Sequence, residues 1–324
     1  MQPAEQLRVT LFLALIVATY VLAFGTVLRA VARRRGAQLD PLPRRSIWLR
    51  RIAVVLAIAG LPCFAYGWRI EPYWPEVTRV RLESDKLGPV YRPIRLVHLS
   101  DLHSDPRVRL EESLPRLVAA LHPDAILFTG DAINSRQGLP VFRRCLTQLA
   151  RIAPTFAVRG NWDAWYFPDV DLFGGTGAVE LGGRPVPLRV GPSTLWLTGL
   201  GVGHESRLAA TLAALPPDDV SVFLFHYPDL IESVRESTVD LYCAGHTHGG
   251  QVALPFYGAL VTFSVLGKKY ESGLFREGAT WMYVNRGIGM EGVRFGARPE
   301  ITVYEIAPAS GVLTASHDGG SLHR

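Results

Sequence analysis

The first strong pattern along the chain is a nearly unbroken apolar run, residues 9 to 32 ("VTLFLALIVATYVLAFGTVLRAVA"), in which only Arg29 carries charge. A helix of about 20 apolar residues crosses a bilayer, so this run predicts a membrane span. A second run, 52 to 68 ("IAVVLAIAGLPCFAYGW"), carries no charge. It lies near the short end of the ~17–25 residue range for a span, and Pro62 inside it predicts a kink. From about residue 76 the texture changes to short β-branched runs alternating with helical periodicity. Strands are predicted at 94–101, 124–131, 155–163, 220–229 and 239–250, with two more at "TWMYVNRG" and "EITVYEIA". Helices are predicted at 110–121 ("LEESLPRLVAAL") and 139–152 ("LPVFRRCLTQLARI"). Such alternation implies an α/β layered fold. The tail 310–324 is small, polar and Gly-rich, which predicts disorder.

The strands share one feature. Their polar residues gather at the C-terminal ends: Asp101 and His103, Asp131, Asn161, His226, then His246 and His248. Ligands of open α/β sheets bind at the carboxyl ends of strands. Four His, two Asp and one Asn are all good donors for a divalent cation. One such residue is commonly a turn or cap; seven at five successive strand ends point to a metal centre.

Composition adjusts this picture little. The formal charge is +5, yet the stretch 33–51 between the two spans holds seven Arg and one Asp, leaving the rest near neutral. The high pI therefore reports one local cluster, and a nucleic-acid surface spread over the folded domain is not indicated. By the positive-inside rule that cluster is cytoplasmic, so the domain after it faces outward. Within the cluster "RRSIWL" resembles, loosely, a twin-arginine export signal, which points the same way. Cys63, Cys145 and Cys243 lie far apart in apolar surroundings; buried free thiols are expected, with no disulfide framework.

The order D-x-H (Asp101, His103), G-D (Gly130, Asp131), G-N-x-D (Gly160 to Asp163), a lone His226 and G-H-x-H (Gly245 to His248) resembles that of calcineurin-like metallophosphoesterases, over roughly 94–250. "SDLHSDP", "HYPD", "GHTHGGQ" and the late "RGIG…RPEI" are similar to a bacterial membrane-tethered branch. Its members include phosphodiesterases and enzymes acting on the lipid A precursor UDP-2,3-diacylglucosamine. The resemblance implies a four-layer α/β/β/α sandwich preceded by two transmembrane helices: anchor 1–72, catalytic domain 73–309. It implies two divalent cations, one held by Asp101, His103, Asp131 and His248, the other by Asp131, Asn161, His226 and His246. Asp101, Asp131, Asn161 and His246 are also expected to act in catalysis, in which a metal-bridged hydroxide attacks phosphorus. A strand-like course at 246–248 would place the two His Cα atoms about 6.6 Å apart on one side, within reach of different ions. Mixed nitrogen and oxygen donors disfavour Mg and Ca and suit Mn, Fe or Zn, with Mn first.

The expected function is hydrolysis of a phosphodiester or pyrophosphate in a lipid-linked or envelope substrate, by a multi-pass protein of the bacterial inner membrane whose catalytic domain is extracytoplasmic. The alternatives are a UDP-2,3-diacylglucosamine diphosphatase of lipid A synthesis, which would need a cytoplasmic domain, and a non-catalytic metal-binding scaffold. One departure from the family stands out. Many members have G-N-H in the third motif, whose His assists the leaving group; here Trp162 takes that place, and indole does not shuttle protons. His204 and Asp163 are candidate substitutes. The aromatic loops 162–173 and 254–263 are either core packing or a groove for acyl chains. Arg286 and Arg294 are either phosphate contacts or exposed surface.

Overall fold

The computed structural model describes residues 3–88, 92–289 and 292–309, so the expected disordered tail, 310–324, lies outside the described residues. Among the described residues fourteen strands follow one another: β1 (Glu76–Ser84), β2 (Ile94–Leu99), β3 (Ala125–Phe128), β4 (Thr155–Ala157), β5 (Val179–Glu180), β6 (Val186–Val190), β7 (Ser193–Gly199), β8 (Val220–Leu224), β9 (Leu241–Ala244), β10 (Ala253–Leu254), β11 (Gly258–Ala259), β12 (Gly273–Glu277), β13 (Thr280–Val284) and β14 (Glu300–Pro308). Seven α-helices accompany them among the described residues: α1 (Pro3–Arg34), α2 (Arg44–Arg69), α3 (Leu114–Ala119), α4 (Leu139–Ile152), α5 (Asn161–Tyr166), α6 (Leu208–Ala213) and α7 (Ile231–Val234). One six-stranded sheet runs β1-β14-β2-β3-β4-β5, the other β12-β13-β9-β8-β7-β6, and β10-β11 form a small hairpin. The inner strands β2, β3 and β4 are parallel, as are β7, β8 and β9.

Strand side chains alternate between faces, and here that alternation builds three cores. Leu96 and Leu127 of one sheet meet Leu197, Val222, Leu224 and Cys243 of the other between the sheets. Their neighbours Val97, Leu99, Ile126 and Phe128 face outward and are covered by Leu114 and Val118 of α3 and Phe142, Cys145 and Leu149 of α4. On the far side Phe223 and Tyr242 are covered by Leu208 and Leu212 of α6 and Ile231 and Val234 of α7. The result is four layers, α/β/β/α, as expected. The parallel strands of both sheets end at the same edge, so their carboxyl ends can share one site.

Several elements are shorter than the pattern predicts. The helix expected at 110–121 is α3 alone. Pro115 has no N–H to bond one turn back, so the helix cannot extend upstream and 110–113 form a turn. Strand 155–163 stops at Ala157, because Asn161 begins α5. Strand 239–250 is β9 only, since the chain turns after Gly245. The pattern does not single out β1, β6 or β7.

Helices α1 and α2 form an antiparallel hairpin, both long and apolar enough to cross a membrane, with few side chains buried. Pro62 lies inside α2 without ending it. The Arg-rich stretch 33–51 is not a loop throughout: Arg44–Arg51 are the first two turns of α2. Cys63 on α2 is exposed, contrary to expectation, because its apolar surroundings are a helix surface rather than a core; Cys145 and Cys243 are buried. At its other end the hairpin meets the domain. Glu5 accepts from Thr262 N (2.9 Å), and Glu71 accepts from Gly296 N (3.0 Å) and Ala297 N (2.7 Å).

Candidate metal centre

The structure brings all seven expected residues to the shared strand edge. Asp101 and His103 follow β2, Asp131 follows β3, and Asn161 opens α5 after β4; His226 follows β8, and His246 and His248 follow β9. Five of them sit in the left-handed backbone region: Asp101 (φ 52°), His103 (44°), Asp131 (56°), His246 (71°) and His248 (52°). Each such residue costs about 1–3 kcal/mol, and this strain concentrates at functional sites. Thus 246–248 is not strand-like. The two imidazoles diverge because the chain twists at each, His248 stacking on His103 and His246 meeting His226, both at 5.1 Å between ring centres.

The two carboxylates stand between these imidazole pairs. His248 Nε2 is 3.3 Å from Asp101 Oδ1. His226 Nε2 is 3.3 Å from Asp131 Oδ2 and 3.9 Å from Asp101 Oδ1. His103 Nε2 is 3.5 Å from Asp131 Oδ2. Donor atoms of Asp101, His103 and His248 cluster within 4.8 Å, as do those of Asp101, Asp131 and His226. Asp101, His103, His226 and Asp131 are all buried.

Ring orientation is set from behind. His226 Nδ1 lies 2.7 Å from the Thr129 carbonyl, which can only accept, so Nδ1 carries the proton there. His103 Nδ1 lies 2.9 Å from Asn134 Oδ1, and the Asn134 amide nitrogen donates to Asp105, which fixes that assignment. Both Nε2 atoms therefore face carboxylate oxygens. Asp101 Oδ1, Asn161 Oδ1 and His226 Nε2 are buried with no hydrogen-bond partner among the described residues. Buried polar atoms are almost always satisfied. A cation would satisfy these together, so the residues present fit divalent metals.

Electrostatics agree. Burial pulls His226 down, but Asp131 and Asp101 outweigh it and carry it up to about 9. Burial takes His103 down to about 4, against Asp131. Burial and the neighbouring His226 take His246 to about 3. Burial opposes ionisation of Asp101, yet His248 and His226 hold it well below the usual range. Anionic Asp101 and neutral His103 and His246 are the protonation states that metal binding needs, whereas His226 would release its proton as a cation binds.

The surrounding residues settle several open readings. Asp163 is no free acid. Its oxygens accept from Asp131 N (2.8 Å), Ala132 N (2.9 Å) and Gly160 N (3.0 Å), clipping two site loops together. His204 is exposed on the turn after β7. Trp162 donates its backbone N–H to Asp131 Oδ1 (2.8 Å), and its ring meets His103 edge-on at 5.7 Å. Arg294 is not exposed but fully buried. It donates to the carbonyls of Gly289, Ala297 and Arg286, and its Nη2 lies 3.3 Å from His248 Nδ1. Arg286 is paired with Glu76 and Glu300. Gly245 makes room for protein: a Cβ there would stand 2.0 Å from Ser100 Oγ and 2.4 Å from Asp101 Oδ2. In the aromatic loops Phe167, Leu172 and Phe173 are core, whereas Trp165, Tyr166, Phe256, Tyr257 and Phe263 are exposed. Asn134, Thr129 and Arg294 carried no sequence signal for their supporting places, since each acts through a contact far along the chain.

A family model described as calcineurin-like phosphoesterase matches residues 94–250. "Phosphodiesterase YaeI" of Escherichia coli is 32% identical over 273 residues, 78% of this chain and 96% of its own. "Uncharacterized metallophosphoesterase YkuE" of Bacillus subtilis is 30% identical over 258 residues, 75% of this chain and 89% of its own. "UDP-2,3-diacylglucosamine pyrophosphatase LpxG" of Chlamydia trachomatis is 25% identical over 313 residues, 77% of this chain and 95% of its own.

Proposed function

The chain belongs to the calcineurin-like phosphoesterase family and is a phosphoester hydrolase; from that premise we propose that it is a membrane-tethered, two-metal enzyme that cleaves a phosphodiester or pyrophosphate bond in a lipid-linked or envelope substrate. Residues 1–72 are the anchor and 73–309 the catalytic domain. Asp101, His103, Asp131 and His248 hold one cation, and Asp131, Asn161, His226 and His246 the other, with Mn the first choice. The observation that carries this reading is the convergence of buried donors without hydrogen-bond partners among the described residues: Asp101 Oδ1, Asn161 Oδ1 and His226 Nε2.

Bound cations supply a water ionised near neutral pH and positive charge beside the phosphoryl oxygens. The chain's own residues do the positioning. The Thr129 carbonyl and Asn134 aim the Nε2 atoms of His226 and His103, and Asp163 holds the Asp131 loop against Gly160. Trp162 offers the leaving group no proton, so bonds whose leaving group departs as a stable anion are favoured, as in a pyrophosphate or an aryl ester.

Sidedness follows from the hairpin. The seven arginines of 33–51 gather at the end away from the domain, against Arg8 and Arg69 at the domain end, and by the positive-inside rule this excess supports an extracytoplasmic domain. The relative named as a UDP-2,3-diacylglucosamine pyrophosphatase favours a second reading with the domain in the cytoplasm. Alkaline phosphatase and fluorescent-protein fusions at the C-terminus decide between them.

The central test uses full-length protein in detergent, stripped of metal and refilled with Mn²⁺. Bis(p-nitrophenyl) phosphate hydrolysis and bound metal per chain are both measured. Activity should require metal, and Asp131→Ala and His248→Ala should lose both activity and metal. Wild type that binds metal fully yet cleaves neither this ester nor a pyrophosphate lipid would move the protein to the scaffold reading.

A further inference from the structure

The loop between β10 and the turn before β12 is unusual in being apolar, exposed and close to the metal centre. Phe256 is wholly exposed and Val265 is 72% exposed; Tyr257 and Phe263 are also open to solvent. Phe256 (φ 64°) and Phe263 (φ 56°) hold the left-handed conformation, which a bulky side chain adopts at a cost. Strain that points a phenyl ring into water needs something to cover the ring.

The fold shows where this loop sits. Glu5, on the first turn of α1, is fully buried, and its carboxylate accepts from both Thr262 N (2.9 Å) and Thr262 Oγ1 (3.0 Å). Arg8, one turn further, donates to the Tyr257 hydroxyl at 3.2 Å. Beyond these contacts the surface of α1 becomes apolar and exposed, with Leu11, Leu13 and Leu15 each more than half open. The loop is thus held at the level where α1 enters the bilayer. Its composition suits that level: aromatic rings collect at the membrane interface, Lys268 packs over the Tyr257 ring at 3.9 Å while paired with Glu271 at 3.4 Å, and exposed Arg8 offers a cation to lipid phosphates. On the other side the loop approaches the site, because the Phe263 carbonyl lies 3.4 Å from His246 Nε2.

We propose that residues 254–265 form a second, non-helical membrane contact, in which Phe256 and Val265 enter the interfacial layer of the bilayer and hold the rim of the metal centre at headgroup depth. The inference rests on the proposed crossing of the membrane by α1. Its consequence is that a phosphate at headgroup level reaches the site while its lipid remains in the membrane.

The test uses the full chain in nanodiscs containing anionic lipid. Cys63→Ala removes the exposed thiol, leaving Cys145 and Cys243 buried. Phe256→Cys and Val265→Cys, each spin-labelled, are compared with Leu15→Cys in α1 and with Arg189→Cys near the β6–β7 turn, at the opposite end of the sheets. Collision rates with oxygen and with a water-soluble nickel complex report depth. Labels at 256 and 265 should lie below the lipid phosphates, with nickel accessibility several-fold lower than at 189. Lipid-like values at 15 with water-like values at both loop sites would overturn this inference and leave the anchor standing. Water-like values at 15 would overturn the anchor itself, and the inference with it.

Discussion

His226 Nε2 faces Asp131 Oδ2 across 3.3 Å, while the opposite ring nitrogen is engaged by the Thr129 carbonyl at 2.7 Å. The imidazole cannot turn away, so a proton or a metal must lie between the nitrogen and the carboxylate. His103 is held the same way by Asn134. These two backings, from the loops around β3, make the centre stiff before any ligand arrives.

Asn134 is therefore expected to matter although it touches no metal in the proposed scheme. Removing a group that orients a ligating His typically costs about 10–100-fold in metal affinity. Asn134→Ala should weaken Mn²⁺ binding by about that factor, measured by titration of metal-free protein, with the unfolding temperature little changed. Unaltered affinity would mean that His103 needs no backing.

Gly245→Ala should damage both stability and activity. The added Cβ would press on Ser100 Oγ and Asp101 Oδ2 in a space with nowhere to relax. Overpacking of this kind costs about 1–3 kcal/mol, and Asp101 would be displaced. Denaturation in detergent and hydrolysis of bis(p-nitrophenyl) phosphate read the two effects; a stable, active variant would show that the loops can part.

Trp162 should set the leaving-group preference. Wild type should cleave aryl phosphodiesters far faster than alkyl ones. Trp162→His should narrow the gap by raising the alkyl rate, since general-acid help is worth about 10²–10⁴-fold. Equal kcat values for the two ester types in wild type would sink the idea.

His98 should make the domain acid-sensitive. It is fully buried between Tyr304 Oη and Thr129 Oγ1, each 2.8 Å away. Burial lowers its pKa from 6.5 to about 3. Between those values the unfolded chain binds a proton that the folded one refuses, so this contribution is complete above the unfolded pKa and is lost as pH falls toward the folded one. The slope is about 1.4 kcal/mol per pH unit. His98→Asn should flatten the acid limb of the stability profile in urea melts between pH 4 and pH 6; an unchanged limb would place the sensitivity elsewhere.

The sequence by itself determined the layered α/β class, the two long apolar helices and the seven candidate donors. Those features are local: a span is a length of apolar residues, and donors at strand ends are visible wherever a strand's apolar run stops. Helix α4 is legible for the same reason, with Val141, Phe142, Cys145 and Leu149 buried along one face. What the tertiary structure decided depends on partners far apart in the chain. Only folding shows that His246 and His248 diverge through left-handed backbone rather than along a strand, because both conformations suit a Gly-flanked segment. Asp163 becomes a clip rather than an acid because the β3 loop passes over it. Arg294 is buried because the carbonyls of Arg286, Gly287, Gly289 and Ala297 converge on its guanidinium, which no composition reveals. Glu5 meets Thr262 across 257 positions, and that contact brings an exposed aromatic loop to the apolar helix α1. Residue types state which chemistry is possible; the direction each donor faces is a property of contacts that exist only once both sheets are formed.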